Sequence, residues 1–254
     1  MEETIMTLIL NTWIFETAVK TGTGQAELVD RVASLGADGI EVRREYFKDP
    51  AMEMPEVGRR AKKQGLIVNY SVPDDVFLAS GERNPKLEQY FQEAMVMGVS
   101  KIKFNTGHFD HFRGDLRDAF EGLPLETIEL NVENDQTAVS GNVAPIKRFL
   151  SSAHQAGLTQ LGYVYDLGNW AFTHNDARQS ARELAPYTRY IHLKNTIDDH
   201  GTLVTSADLN TGIYNWEEIL DNLPTRVPIA LEFPMSSDSQ IKAQMNLLRA
   251  RMEG

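Results

Sequence analysis

Eight times along this sequence a short apolar run of strand type gives way to a longer segment of helical period, and no other feature constrains the fold as tightly. The strand-type runs are residues 7–11, 39–43, 66–72, 101–105, 127–133, 160–166, 190–194 and 228–233. Their starts fall roughly thirty residues apart, the length of one βα unit. Helix ends are marked between them. Asn84-Pro85 and Asn215-Trp216-Glu217-Glu218 read as caps with first turns, Pro55 and Pro145 suit first-turn positions, and Gly36, Gly65, Gly98 and Gly157 stand where helices stop. Strict alternation with short connections demands a parallel sheet, and eight units in 254 residues predict one closed α/β domain over 1–254, a (β/α)8 TIM barrel. An open doubly wound sheet would carry a glycine-rich phosphate turn after an early strand. Gly22-Thr23-Gly24 lacks the third glycine and the preceding strand, so it reads as a loop.

Alternate residues of a barrel strand face the helices and the axis. In the fifth run Ile128, Leu130 and Val132 take the helix side, which leaves Glu129, Asn131 and Glu133 on the axis. The same parity places Glu41 with Arg43, Lys103 with Asn105 and His192 with Lys194, and sets Asp166 and Glu232 at inner strand ends. Burying so many ionisable groups is costly unless they are paired, hydrated or metal-bound. Two solutions stay open. Glu133, Asp166, His192 and Glu232, at the ends of the last four strands, offer three carboxylates and an imidazole to a divalent ion and leave positions for substrate oxygens. Alternatively the set is a lumenal salt-bridge network, with Glu133 on Lys103 and Glu41 on Arg43 or Lys194.

Composition narrows the chemistry. With no cysteine, disulfides, thiolate zinc sites, Fe–S clusters and cysteine nucleophiles are excluded. Thirty-six acidic against 25 basic residues, a net charge of -11 and no basic cluster beyond Arg59-Arg60-Ala61-Lys62-Lys63 oppose nucleic acid. A small polar metabolite is the expected partner, with no nucleic acid and no membrane, and with room for a homodimer. Met1-Glu2-Glu3-Thr4 carries acid where an export signal carries base, and the apolar run from Ile5 to Leu10 is short, so a cytoplasmic location is expected.

The segments Gly36-Ala37-Asp38-Gly39-Ile40-Glu41, Glu133-Asn134, Asp166-Leu167-Gly168-Asn169, His192-Leu193-Lys194-Asn195, Glu232 and Gly212-Ile213-Tyr214-Asn215-Trp216 resemble, in order and spacing, the xylose isomerase-like TIM barrels. That superfamily holds sugar isomerases and epimerases, inosose dehydratases and endonuclease IV, and the likeness spans nearly the whole chain. The resemblance implies a metal held by Glu133, Asp166, His192 and Glu232, with Mn2+ or Mg2+ first and Co2+ or Zn2+ next. It also implies Glu133 and Glu232 as the catalytic pair that moves a proton between neighbouring carbons of a sugar, sugar phosphate or sugar acid through an enediolate. A ligand carboxylate can be a base only if its second oxygen stays free. Glu41, Arg43, Lys103, Asn105, Asn169 and Lys194 are the expected substrate contacts. Asn169 stands where ketose epimerases of the family often have histidine, and it cannot carry a proton. Arg43, Lys103 and Lys194 either recognise a substrate anion or neutralise the lumenal carboxylates. The alternatives are an inosose-type dehydratase, or a metal-free barrel in which a lysine replaces the ion and a sugar acid binds without turnover.

Other residues carry weaker expectations. Trp13, Phe15 and Tyr70 form either an apolar wall for a sugar face or rim core. Gly107-His108-Phe109-Asp110-His111 is read as a solvated loop, His174 and His200 as loop residues, and Met95 and Met97 as helix packing. The stretch 196–214 exceeds a usual connection and is either a lid over the mouth or a surface excursion.

Overall fold

The computed structural model describes residues 7–253, so the acidic start at residues 1–4 and the front of the first apolar run lie outside the described residues. The barrel strands are β1 (Leu8–Asn11), β2 (Gly39–Arg43), β3 (Ile67–Phe77), β4 (Lys101–Gly107), β5 (Glu129–Glu133), β6 (Leu161–Asp166), β7 (Thr188–Leu193) and β10 (Ile229–Leu231). They close in the order β1-β10-β7-β6-β5-β4-β3-β2, and every neighbouring pair is parallel. The expected (β/α)8 barrel is the observed fold. Outside the strands run α1 (Glu16–Lys20), α2 (Gln25–Leu35), α3 (Pro50–Gln64), α4 (Leu87–Met97), α5 (Leu116–Phe120), α6 (Val143–Gln155), α7 (Ala177–Leu184), α8 (Trp216–Leu220) and α9 (Asp238–Glu253).

Local chemistry explains most boundaries. Asp49, Asp115, Asp176 and Asn215 cap α3, α5, α7 and α8 by accepting first-turn N–H groups. Gly36, Gly65 and Gly98 end their helices in the left-handed conformation that costs other residues most. Of the two prolines expected in first turns, Pro145 lies in the first turn of α6 and Pro55 does not lie in that of α3. Pro50 takes the first turn of α3, which leaves Pro55 inside the helix, where it withholds one backbone N–H. β3 runs past Pro73 to Phe77 because the ladder shifts register between Ser71 and Asp75, a bulge that tolerates a residue without a donor. Asn84 caps a turn ahead of α4, accepting from Lys86 N at 3.0 Å, and the helix starts later than expected.

Packing falls into two shells. Leu10, Ile40, Val42, Ile102, Phe104, Leu130, Val132, Ile191 and Leu231 join the helices in one large core. On the axis the apolar residues reduce to a small plug of Ile9, Val164, Tyr190 and Ala230. Gly39 makes room for it, since a Cβ there would lie 2.5 Å from Ile9 Cδ1. The lumen above the plug is left to polar groups. Met97 packs as expected, whereas Met95 is 54% exposed.

The long stretch after β7 contains an antiparallel hairpin, β8 (Thr196–Asp199) with β9 (Thr202–Thr205), turning at His200 and Gly201, both of positive φ. Asn195 ties down the rest, donating to Leu209 O at 2.8 Å and Tyr214 O at 2.9 Å. Among the described residues no helix is long and apolar enough to cross a membrane.

Candidate metal centre

Glu133 and Asp166 are the last residues of β5 and β6, His192 sits in β7 opposite Asp166, and Glu232 follows β10 directly. Each contributes one atom to a buried group in which all four atoms lie within 4.8 Å of one another. His192 Nδ1 is 2.6 Å from Glu133 Oε1 and 3.1 Å from Glu232 Oε2. Lys194 Nζ is 2.5 Å from Asp166 Oδ2 and 2.9 Å from Glu232 Oε2. On the far sides, Lys103 Nζ donates to Glu133 Oε2 at 2.7 Å and Arg43 Nη1 to Glu232 Oε1 at 2.9 Å.

Short distances do not make all of these hydrogen bonds. Glu133 Oε1, Asp166 Oδ2 and His192 Nδ1 are buried and make no well-formed hydrogen bond, although Oε1 and Nδ1 lie against each other and Oδ2 lies against Lys194 Nζ. Buried polar atoms are normally satisfied, so three converging orphans fit a divalent ion. The donor set of carboxylate oxygens and one imidazole suits Mn2+, Mg2+, Co2+ or Zn2+.

Electrostatics agree with the geometry. Burial alone would raise the Glu133 pKa, but Lys103 and His192 outweigh it and bring it down to about 2. Burial drives Asp166 up to about 7, against the pull of Lys194 and with the help of Glu133 and Glu232. Burial would lower the His192 pKa, yet Glu41, Glu232 and Glu133 together hold it well above the usual imidazole range. Four buried carboxylates thus face three cations, and the imidazolium supplies the fourth positive charge.

The expected site residues divide. Arg43, Lys103 and Lys194 reach the cluster, each paired with a site carboxylate, which is the neutralising arrangement. Arg43 is further shared with Glu45 at 2.7 Å. Asn105 stands in register beside Glu133 and half-buried at the mouth. Glu41 departs from expectation. It is fully buried, and its oxygens are taken by Asn11 Nδ2 at 2.6 Å and His192 Nε2 at 2.9 Å, so it faces the imidazole and not the mouth. Asn169 is likewise held within the protein, donating to Asn134 O at 2.8 Å and accepting from Gln136 Nε2 at 3.1 Å.

Around the mouth, the Trp13 ring lies 5.3 Å from Lys194 Nζ and 5.7 Å from the Arg43 guanidinium carbon. Phe15 is core, and Tyr70 points to the helices, donating to Glu93 Oε2 at 2.6 Å. His108 and His111 stack at 5.3 Å apart from the buried group, and His174 and His200 occupy positive-φ positions. Sequence reading missed the role of two asparagines. Asn134 clamps the Asp166 backbone, accepting its N–H at 2.9 Å and donating to its carbonyl at 2.8 Å. Asn11 bridges Glu41 and Glu232 through Nδ2 and accepts from Trp13 N through Oδ1. A polar residue at the end of an apolar strand was the available signal.

No family profile and no curated protein sequence matches the chain. Solved structures do. The probable 3-DHS dehydratase AsbF of Bacillus anthracis superposes with TM-score 0.72 at 17% identity, over 96% of this chain and 98% of that one. D-psicose 3-epimerase of Clostridium cellulolyticum H10 gives 0.66 at 10% identity, over 97% and 99%. A family 2 AP endonuclease of Brucella melitensis gives 0.63 at 15% identity, over 96% and 98%. At such identities the likeness is one of fold, a (β/α)8 barrel shared with proteins described as xylose isomerase-like.

Proposed function

We propose that this chain is a metal-dependent enzyme that moves a proton between neighbouring carbons of a hydroxy-carbonyl carbohydrate, as an isomerase or epimerase. The observation that supports the reading is the convergence of Glu133 Oε1, Asp166 Oδ2 and His192 Nδ1, buried and without a well-formed hydrogen bond, beside Glu232. These four residues would hold the ion. When bound, a divalent ion supplies Lewis-acid polarisation of a substrate carbonyl, which makes the adjacent C–H more acidic.

The protein residues do the rest. Glu133 and Glu232 flank His192; for either to take a proton from one carbon and return it to the next, the oxygen turned away from the ion must be released, from Lys103 in Glu133 and from Arg43 and Asn11 in Glu232. They are not equivalent. Apart from His192, which both share, Glu232 carries Arg43 and Asn11 on Oε1 and Lys194 on Oε2, whereas Glu133 carries Lys103 on Oε2. Glu133 is therefore the less encumbered of the two. Trp13 offers an aromatic face to the apolar side of a sugar ring.

That inequality favours a second reading, a dehydratase, which needs one base and then loses a β-hydroxyl. Solvent deuterium separates the two: an isomerase incorporates it without net water loss, and a dehydratase forms an unsaturated product. The metal is tested first. Protein purified without chelator should contain about one divalent ion per chain, and Glu133→Gln and His192→Ala should lose it. A wild-type chain that neither contains nor binds Mn2+, Mg2+, Co2+ or Zn2+ would sink the reading in favour of a metal-free binding barrel.

A further inference from the structure

His192 offers its two ring nitrogens to different carboxylates. Nδ1 faces Glu133 and Glu232 in the convergent group, while Nε2 lies 2.9 Å from Glu41 Oε2, on a residue outside that group. Both His192 and Glu41 are fully buried. Glu41 is fixed in turn, because its other oxygen accepts from Asn11 Nδ2 at 2.6 Å and its strand neighbours in register are Asn11 and Asn69. The Tyr190 ring meets the imidazole edge-on, 4.9 Å away at 82°. Turning the imidazole over would replace both nitrogens by carbons, leaving Glu41 and Glu133 each against a C–H.

We propose that Glu41 is a positioning residue for the metal centre. By accepting the Nε2–H of His192 it fixes the tautomer and ring orientation, and so commits the Nδ1 lone pair to the ligand group. Its negative charge also makes that lone pair a better donor, as carboxylates behind metal-bound histidines do. Through Asn11, whose Nδ2 is 3.1 Å from Glu232 Oε1, the same carboxylate aligns the fourth ligand. With both oxygens spent and no exposed surface, Glu41 has nothing to offer a substrate. The inference rests on the metal reading above.

Two measurements on purified, metal-free protein test it, with Glu41→Gln and Glu41→Leu beside wild type. Titration with Mn2+ alone, followed by calorimetry, should show affinity about 10–100-fold weaker in Glu41→Leu. Glu41→Gln, whose amide oxygen still accepts a hydrogen bond, should keep most of the affinity. Nitrogen-edited proton NMR should show a slowly exchanging, downfield Nε2–H of His192 that disappears in Glu41→Leu and survives in Glu133→Gln. A folded Glu41→Leu that binds Mn2+ as tightly as wild type, or keeps that resonance, overturns the proposal while leaving the metal reading intact. Should Glu41→Leu not fold, a Glu41→Gln protein without the downfield resonance overturns it as well. Wild type that takes up no Mn2+ removes the metal reading and this proposal with it.

Discussion

With Glu41, Glu133 and Glu232 around it, His192 is held as an imidazolium at neutral pH in the metal-free protein. A metal must displace that proton. Mn2+ binding at pH 7 is expected to release about one proton per ion, and affinity should fall as pH is lowered. Calorimetry in buffers of different ionisation enthalpy reads this directly; binding without proton release would contradict it. The linked stability has a definite sign. Because the folded His192 pKa is raised, its contribution is complete below the unfolded value near 6.5 and is lost as pH climbs through the folded value. Glu133, depressed to about 2, contributes above its unfolded value and loses that contribution as pH falls toward 2. Crowding sets another expectation. A Cβ on Gly168 would lie 2.7 Å from Lys194 Cγ, so Gly168→Ala should push the lysine off Asp166 and Glu232 and cost about 1–3 kcal/mol in urea unfolding. The inward set was legible because strand parity alone assigns faces, which is how Glu133, Asp166, His192 and Glu232 could be named together. What parity leaves open is height along the axis. Glu41 and His192 are 151 residues apart, and only the stagger of the closed barrel puts them level.

Elements were readable where a cap or a glycine marked them, and proline was a mixed guide: Pro145 sits in the first turn of α6 as expected, Pro55 does not open α3. Proline signals a helix start or a strand end on local grounds, yet Pro55 lies inside α3 and Pro73 inside β3, because tertiary packing outweighs one lost hydrogen bond. Pro55→Ala restores a donor to the carbonyl of Ala51 and should stabilise the protein by about 1–3 kcal/mol, net of the looser unfolded chain; thermal unfolding at fixed pH reads the change. The hairpin segment could not be foreseen in detail, since its order depends on individual side chains, Asn195, Gln240 and Gln244 among them, and not on a pattern. Asn195 donates to two carbonyls and accepts from Thr196 N at 2.9 Å, and a Cβ on Gly212 would strike its amide. Asn195→Ala should cost about 1–3 kcal/mol. Cleavage within residues 196–214 by a nonspecific protease should rise more than global unfolding does; equal sensitivity would show that the segment is not held by this residue.

For the molecule as a whole, a binding ion becomes a stability term. At a hundredfold excess over Kd, Mn2+ should add about 2.7 kcal/mol, a rise of several degrees in Tm that EDTA removes and Glu133→Gln never shows. The eight-strand closure was legible from the count and spacing of units, since eight units of this size leave little else to build. Closure also has a temporal side. Asn11 and Glu232 touch although 221 residues separate them, and Arg43 and Glu232 are 189 apart. During synthesis, the first strand and its asparagine leave the ribosome long before the carboxylate they will hold has been made. A nascent or truncated chain ending after β7 but before β10 has three of the four ligands and an open seam between β1 and β7, so a bound ion marks a chain that has been translated past its last strand.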